Sequence, residues 1–307
     1  MEDYNKIIES LAVHFKKARN IRILQPITIE NYYDVENTII RVNQGEIRYG
    51  KEKTIVGKGE ILFIPGGKNV SITYGKGATV SLSNDDFISK REQYFKSLPY
   101  DELEEETADN FSYISFDARV FDSVNFFSSL DIPPFVLIGY KKVNDSISAI
   151  LGEIGSNLAG HERIVKLFTD IMVVEVIRFV LTNRLFVEQL ATNSTYFKDP
   201  RLIDIFAYIK EHLEGDLSNK KLASVANVSE DYVGQYFKML TGINPQDYIE
   251  YQRMEKAVSL LRTSKKSIRD IGRDVGYKDT AYFCRRFKMM FGIPAGKMRR
   301  RESLMNI

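Results

Sequence analysis

The side chains best suited to chemistry occupy equivalent positions in two similar segments near the C-terminal end of the sequence. The segment Phe237-Lys238-x-x-x-Gly242-Ile243 is followed 50 residues later by Phe287-Lys288-x-x-x-Gly292-Ile293. Gln235 and Arg285 lie two residues before the phenylalanine of each segment. An arginine can form two hydrogen bonds with guanine and a glutamine can form two with adenine, whereas a lysine supplies charge to a phosphate. The chemistry that these residues suit is recognition of a nucleic acid.

The distribution of charge along the sequence supports this interpretation. Residues 198–307 hold 21 Lys and Arg against 14 Asp and Glu, a net charge of +7, whereas residues 1–197 hold 22 against 27, a net charge of −5. A basic segment beside an acidic remainder is typical of a polyanion-binding module attached to a part with another role. The length of 307 residues and the hydrophobic content of 44% predict a globular protein of about two domains.

Few residues could bind a metal or build a covalent active site. Cys284 is the one cysteine, which excludes a disulfide framework, and His14, His161 and His212 are far apart. We therefore expect no metal, no cofactor and no catalytic residue. Charged residues interrupt the apolar stretch 164–190, so no membrane span is expected. Because no signal-peptide pattern opens the sequence, we expect a cytoplasmic protein.

The first half of the sequence predicts strands followed by helices. A helix is predicted over 4–18, where apolar residues recur at helical spacing. Short segments rich in Ile, Val, Thr and Tyr, with Gly and Asn between them, then predict an antiparallel sandwich or barrel. These segments are 21–29, 38–42, 45–49, 53–56, 60–64, 69–74 and 78–82, with further strands at 111–117 and 134–140. Residues 144–158 and 161–191 predict two helices, and the second is so apolar that it requires cover from a sheet or a partner subunit.

One part of this strand region resembles the first motif of small cupin-like barrels. The resemblance rests on Gly45-Glu46-Ile47-Arg48-Tyr49, followed by Gly57-x-Gly59 and an apolar strand that ends at Pro65. Metal-binding cupins place histidines and a carboxylate in this region, whereas residues 21–140 contain no histidine. The missing histidines therefore disfavour a metal-dependent cupin enzyme. The aromatic residues Tyr49, Phe63 and Tyr74 of this region are expected to pack in the core.

The last third of the sequence predicts two helix–turn–helix units, at about 218–241 and 267–291. In the first unit, Ser218 is suited to cap a short helix and Gly242 to end the second helix. In the second unit, Ser267 and Asp270 have the spacing of a capping box.

The second unit also contains a turn at Gly276, and Asp279 is suited to cap the helix that follows. A long helix over about 245–263 is predicted between the units, and another over about 200–213 before them.

This arrangement resembles the C-terminal DNA-binding domain of the AraC/XylS family of bacterial transcription regulators. The resemblance covers about residues 200–301. Its most specific landmarks are Val275-Gly276-Tyr277, then Tyr282-Phe283-x-Arg285-x-Phe287-Lys288, then Gly292-Ile293-Pro294. Members usually carry a serine and an aromatic residue soon after the last proline, whereas this chain has Ala295-Gly296-Lys297-Met298. The implied fold class is α+β: an N-terminal cupin-like β-barrel or sandwich with two following helices, and an all-α C-terminal domain.

The resemblance also implies which residues contact DNA. The exposed residues in the N-terminal half of a recognition helix contact base edges. The positions that match the family's base-reading residues are Asp231, Gln235, Thr280, Ala281 and Arg285, beside the small Gly234. Lys238, Arg286 and Lys288 are expected to contact phosphate. The aromatic residues of the two units are expected to pack in the core: Tyr232, Phe237, Tyr282, Phe283 and Phe287.

We therefore predict a regulator with an effector-sensing and dimerisation domain over 1–191, a linker over 192–199 and a DNA-binding domain over 200–307. The expected partners are double-stranded DNA, a small-molecule effector, a second copy of the chain joined through 161–191 and, by family resemblance, RNA polymerase. Two alternatives stay open. One is a regulator controlled by a protein partner without a small ligand, and the other is a cupin-type enzyme fused to a DNA-binding domain.

Overall fold

The computed structural model describes residues 2–9, 11–77, 79–120, 124–130, 132–156, 158–186, 200–241, 244–291 and 293–299. In chain order its helices and strands are α1 (Glu2–Glu9), β1 (Leu11–Ile23), β2 (Ile27–Tyr33), β3 (Asn37–Gln44), β4 (Ile47–Tyr49), β5 (Thr54–Val56), β6 (Ile61–Ile64), β7 (Asn69–Tyr74), β8 (Val80–Ser83), α2 (Asn84–Tyr94), β9 (Phe95–Leu98), β10 (Asn110–Val120), β11 (Val124–Asn125), α3 (Phe126–Ser129), β12 (Phe135–Leu137), α4 (Lys141–Ser156), α5 (His161–Thr182), α6 (Pro200–Glu211), α7 (Asn219–Ala226), α8 (Glu230–Thr241), α9 (Pro245–Thr263), α10 (Ile268–Asp274) and α11 (Thr280–Phe291).

The chain forms two compact units, one rich in sheet and one helical. The sheet unit comprises Ala12–Ala118 and Asp131–Phe186. The helical unit takes in the described residues from Pro200 onward, together with Arg119–Leu130 and the residues up to Leu11. This confirms a sheet-rich N-terminal part and a helical C-terminal part.

Two sheets build the sheet unit. The larger has the strand order β12-β6-β3-β10-β1-β9, with β11 paired to β10, and the smaller has the order β5-β4-β7-β2-β8. Because the sheets stay separate, the architecture is a sandwich and not a closed barrel. Alternate residues of facing strands fill its core, among them Ile40, Leu62, Ile72 and Tyr74. The predicted core positions of Phe63 and Tyr74 are confirmed, and Tyr49 is partly buried against the same core.

Two helices follow the sandwich, as predicted, but the second ends at Thr182 and not at the predicted 191. The α5 helix buries Val165, Met172 and Val176 along one side. It also buries Glu175, whose carboxylate accepts hydrogen bonds from the Tyr140 hydroxyl at 2.8 Å and Arg178 at 2.6 Å. Burial raises the pKa of Glu175, but these hydrogen bonds outweigh it and hold the pKa below its usual value.

The predicted helix over 4–18 is confirmed up to Glu9 and is wrong from Leu11 onward. The α1 helix ends at Glu9, and residues from Leu11 form the long strand β1. Along β1 the side chains of Val13, Ala18, Ile21 and Ile23 are buried, and the strand lies between β10 and β9 in the larger sheet. Strand β10 pairs with one edge of β1, and β9 pairs with Asn20–Ile23 on the other edge. This tertiary pairing overrides the helical spacing of the apolar residues.

The sequence also missed three features of the sheet unit. The predicted strand 21–29 is divided between β1 and β2 at Pro26, which cannot donate to a ladder. Helix α2, capped by Ser83, and strand β9 were not predicted at all.

In the helical unit the predicted elements are confirmed almost residue by residue. The long helix α9 has the bounds that the sequence predicts, and α7, α8, α10 and α11 form the two helix–turn–helix units. The predicted caps are present: Ser218 Oγ accepts from Lys221 N at 3.3 Å, Ser267 Oγ from Asp270 N at 3.1 Å, and Asp279 Oδ1 from Tyr282 N at 2.5 Å. Gly242 and Gly292, predicted to end the second helix of each unit, lie outside the described residues.

The helical unit includes a segment that lies far away in the sequence. Arg119 Nη2 is 3.0 Å from Glu255 Oε1 on α9, and the Tyr251 hydroxyl is 3.5 Å from Ser128 Oγ. Arg119 and Ser128 therefore contact the long helix between the two helix–turn–helix units. After α11, Ala295 and Met298 are buried, so these two residues pack although they replace the residues usual in the family.

Candidate DNA interface

The second helices of the two helix–turn–helix units, α8 and α11, expose equivalent residues. The exposed residues of α8 include Asp231, Tyr232, Gln235 and Lys238, and those of α11 include Ala281, Tyr282, Arg285 and Lys288. Each of these four pairs is separated by 50 positions. The buried sides also correspond, because Val233 and Phe237 match Phe283 and Phe287. The repeat in the sequence is therefore a repeat of one exposed helix face.

Two aromatic residues lie on this face and not in the core, so that prediction is wrong for Tyr232 and Tyr282. Their exposures are 42% and 47%, whereas Phe237, Phe283 and Phe287 are fully buried as predicted. Successive residues of a helix are turned by about 100°, so each tyrosine lies beside the buried Val233 or Phe283 but points away from the core. Equivalent tyrosines thus border the predicted base-reading residues in both units.

Tyr282 also contacts Arg285, the arginine that we expect to contact a base. The guanidinium carbon of Arg285 lies 5.9 Å from the centroid of the Tyr282 ring, within the range of a cation–π contact. The ring of Tyr282 lies in turn 6.0 Å from that of Tyr277. These contacts restrict where the exposed guanidinium of Arg285 can point.

Glu250 on α9 accepts hydrogen bonds from two residues of the second unit, Arg286 and Tyr277. Its Oε1 accepts a hydrogen bond from Arg286 Nε at 2.5 Å, and its Oε2 accepts a second from Arg286 Nη2. The Tyr277 hydroxyl donates to the same carboxylate at 3.4 Å. The hydrogen bonds and charge of Glu250 raise the pKa of Arg286, and burial together with Glu250 raises the pKa of Tyr277.

This pairing bears on the predicted phosphate contact of Arg286. Its guanidinium forms hydrogen bonds with Glu250 and so fixes α11 against α9, whereas Lys238 and Lys288 are exposed. A phosphate contact by Arg286 stays a prediction, but it would have to use the donors that Glu250 leaves. The sequence alone did not indicate the pair, because 36 residues separate its members.

The turn of the second unit depends on Gly276. Its φ is +88°, in the left-handed region, and a Cβ would lie 2.6 Å from the Leu213 carbonyl oxygen. That carbonyl accepts a hydrogen bond from Arg253 Nε at 2.8 Å. Glycine is therefore required both by the backbone conformation and by the close approach of a second chain segment.

The remaining predicted base contacts lie at the start of the same two helices. Thr280 is the first residue of α11 and is half-buried, and the exposed Ala281 follows it. Asp231 is in the first turn of α8, where its charge also favours the helix N-terminus. Base contact by these residues stays a prediction.

Neither a metal cluster nor a membrane helix is found in the described ranges. Across them, no three His, Cys, Asp or Glu residues are grouped so that they could hold a metal ion. Over the same ranges, no helix has both the length and the apolar character needed to cross a membrane.

Comparison with known proteins identifies the helical unit. A family described as "Helix-turn-helix domain" matches residues 222–301. The MmsAB operon regulatory protein of Pseudomonas aeruginosa is 33% identical over 97 residues, which are 32% of this chain and 32% of that protein. The arabinose operon regulatory protein of Salmonella typhimurium is 29% identical over 155 residues, 50% of this chain and 52% of that protein. The C-terminal part of the chain is therefore an AraC-type helix–turn–helix domain.

The AraC-type domain accounts for most of this likeness. The chain spans about a third of the length of the MmsAB operon regulatory protein and about half of that of the arabinose operon regulatory protein. A crystal structure of ToxT from Vibrio cholerae O395 matches 97% of this chain and 100% of its own, with a TM-score of 0.53 and 12% identity. At this identity the likeness shows the fold alone, a sheet-rich N-terminal part followed by a helical C-terminal part.

Proposed function

We propose that the protein is a transcription regulator that binds specific sequences of double-stranded DNA through α8 and α11. The observation that carries this proposal is the repeated face of four exposed positions in an AraC-type domain. Two equivalent recognition helices in one domain fit two successive segments of the major groove, about 34–36 Å apart. The net charge of +7 on residues 198–307 favours DNA at long range.

The residues on this face have separate roles. Arg285 pairs with the O6 and N7 of a guanine, and Gln235 pairs with an adenine. Thr280 and Ala281 contact base edges beside Arg285, and Asp231 accepts from a cytosine. Lys238, Lys288 and the donors of Arg286 that Glu250 leaves contact phosphate.

We propose that the sheet unit controls DNA binding and that it does so by binding a small-molecule effector. This proposal rests on the cupin-like resemblance of the sequence and on the sandwich fold. An effector changes DNA binding only if it favours one state of the protein over another. A protein partner acting without a small ligand is the alternative, and RNA polymerase is the partner that a regulator of this kind contacts.

We also propose that the regulator is a cytoplasmic homodimer that pairs through α5. Three large apolar side chains are exposed at helical spacing along one side of this helix: Ile164 at 37%, Leu167 at 43% and Ile171 at 49%. An apolar stripe of this kind marks an interaction surface. The domain boundaries proposed from the sequence are kept, and the linker 192–199 lies outside the described residues.

Footprinting on a DNA site selected with the full chain tests the proposal. We expect two protected segments per DNA-binding domain, one helical turn apart, because both recognition helices are engaged. Protection of a single short segment, or equal binding to all sequences, would contradict it. Native mass spectrometry of the purified protein tests effector control, since a bound small molecule is expected and a copurified protein partner favours the alternative.

A further inference from the structure

The positively charged side chain of Arg41 is half-buried in the sheet unit, and no counter-ion lies beside it among the described residues. Along β3, Ile40 and Val42 point into the sandwich core, so Arg41 and Asn43 lie on the opposite face of the larger sheet. Arg41 is close to α4, where Ser148 Oγ accepts from its Nη1 at 2.7 Å and the carbonyl of Asn144 accepts at 3.4 Å. The site therefore lies between the larger sheet and α4.

Neutral groups fix the guanidinium of Arg41 in place. Its Nε donates to Asn43 Oδ1 at 2.9 Å. Asn43 in turn donates to Asn110 Oδ1 and Ser112 Oγ, each at 2.9 Å, and both of these residues are buried. This network joins two strands of a rigid sheet, so the guanidinium is preorganised by groups that do not neutralise it.

The charge of Arg41 is not balanced within the described part of the chain, where Arg41 forms no ion pair. Burial lowers the pKa of Arg41, which reflects the cost of keeping a charge away from water, and Tyr100 opposes this effect. A buried cation is normally paired, because desolvation without a partner is costly. An anion at this position would remove that cost.

Two donor groups are left to receive such an anion. The Nε and Nη1 of Arg41 are used within the protein, whereas its Nη2 has no acceptor among the described residues. Tyr100 is 39% exposed, and a Cβ on Gly152 of α4 would lie 3.3–3.5 Å from its ring and hydroxyl. Gly152, Ser148 and Asn144 are four residues apart and share one face of α4. This face therefore meets both Arg41 and Tyr100.

We propose that Arg41 and Tyr100 bind the carboxylate or phosphate group of a small-molecule effector between β3 and α4. Arg41 supplies a fixed positive charge and the N–H donors of Nη2, and Tyr100 supplies a hydroxyl donor from a more exposed position. Charge-assisted hydrogen bonds of this kind favour an oxyanion over a neutral ligand. The inference rests on the effector control proposed above, and it adds the chemical class of the effector and the place where it binds.

Thermal unfolding of the full chain with simple oxyanions tests this site without DNA. Sodium acetate and sodium phosphate are each exchanged for sodium chloride at constant ionic strength, so that the two arms separate a carboxylate ligand from a phosphate ligand. We expect at least one of them to raise the unfolding temperature of the wild type. For Arg41→Gln, the concentration that gives half of this shift should rise about tenfold or more, because a charged hydrogen bond is lost.

Three further variants make the result specific. Arg48→Gln is the matched control, since it removes an arginine of the smaller sheet that is paired with Glu46 at 2.6 Å, and it should keep the wild-type shift. Tyr100→Phe keeps the ring but removes the hydroxyl, so it should weaken the shift by less than Arg41→Gln does. Arg41→Lys keeps the charge but not the planar group and should also weaken it. If Arg41→Gln does not fold, Arg41→Lys and Tyr100→Phe decide the question.

The proposal is overturned if the Arg41 variants and Tyr100→Phe all keep the wild-type shift. It is also overturned if neither oxyanion raises the unfolding temperature of the wild type. DNA binding is measured separately on the same variants without oxyanion, where Arg41→Gln should behave as the wild type. Failure of the wild type to select a DNA sequence would refute the proposed regulator function. It would leave the oxyanion result unchanged.

Discussion

Replacing Gly276 with alanine tests the geometry of the second helix–turn–helix unit. An alanine in the left-handed region costs about 1–2 kcal/mol, and the added Cβ would lie 2.6 Å from the Leu213 carbonyl oxygen. That oxygen has to move, which breaks its hydrogen bond with Arg253, worth about 1 kcal/mol. The expected loss of stability is therefore about 2–3 kcal/mol.

Hydrogen exchange measured by mass spectrometry is the suitable assay, because it reports the opening free energy of α10 and α11 separately from the sheet unit. Gly234→Ala is the matched control. Its Cβ would meet Asn219 Nδ2 at 3.8 Å, an ordinary contact, and alanine in a helix is favoured over glycine by about 0.5–1 kcal/mol. A Gly276→Ala protein whose α10 and α11 open within about 0.5 kcal/mol of the wild type would refute the reasoning.

Three further outcomes are expected. Tyr282→Leu should reduce the base preference that we propose for Arg285, whereas Tyr282→Phe should keep it because the ring remains; binding selections on both variants compare them. Above pH 4.5 the buried carboxylate of Glu175 stabilises the fold, because its folded pKa lies below that usual value. This stabilisation is lost as the pH falls through the folded pKa, so a smaller acid-side decrease in the melting temperature is expected for Glu175→Gln. Leu167→Lys together with Ile171→Lys should convert the dimer to a monomer in sedimentation experiments, and an unchanged dimer would exclude α5 as the interface.

The sequence predicted the helical unit well because its signals are local. The N-caps Ser218 and Ser267 act within three residues of themselves, and Gly276 marks its turn by its own backbone requirement. Apolar spacing then fixed the bounds of α9. Helices whose ends and turns are determined by residues close to them in the sequence can therefore be predicted from the sequence alone.

The errors concern features that depend on distant residues. The apolar spacing within 4–18 suits a helix, but residues from Leu11 form strand β1, which pairs with β10 in the larger sheet. The partners of Arg41 on α4 are more than 100 positions away, so nothing near Arg41 in the sequence indicated that this arginine is half-buried between β3 and α4. Tyr232 and Tyr282 were predicted to be buried because they adjoin core positions, and only the helix orientation shows that they are exposed.

The central claim is that Arg285 reads a base whereas Lys288 holds the backbone, and binding selections on two variants test it most directly. Arg285→Ala should cost about 1–3 kcal/mol on the best DNA site and relax the preference at one base pair. Lys288→Ala should weaken binding to all sequences alike and lower the salt slope by about one unit. Hydrogen exchange first confirms that both variants fold, because Phe287 between them is buried. These two roles are contradicted if Arg285→Ala leaves every base preference unchanged while Lys288→Ala alters one.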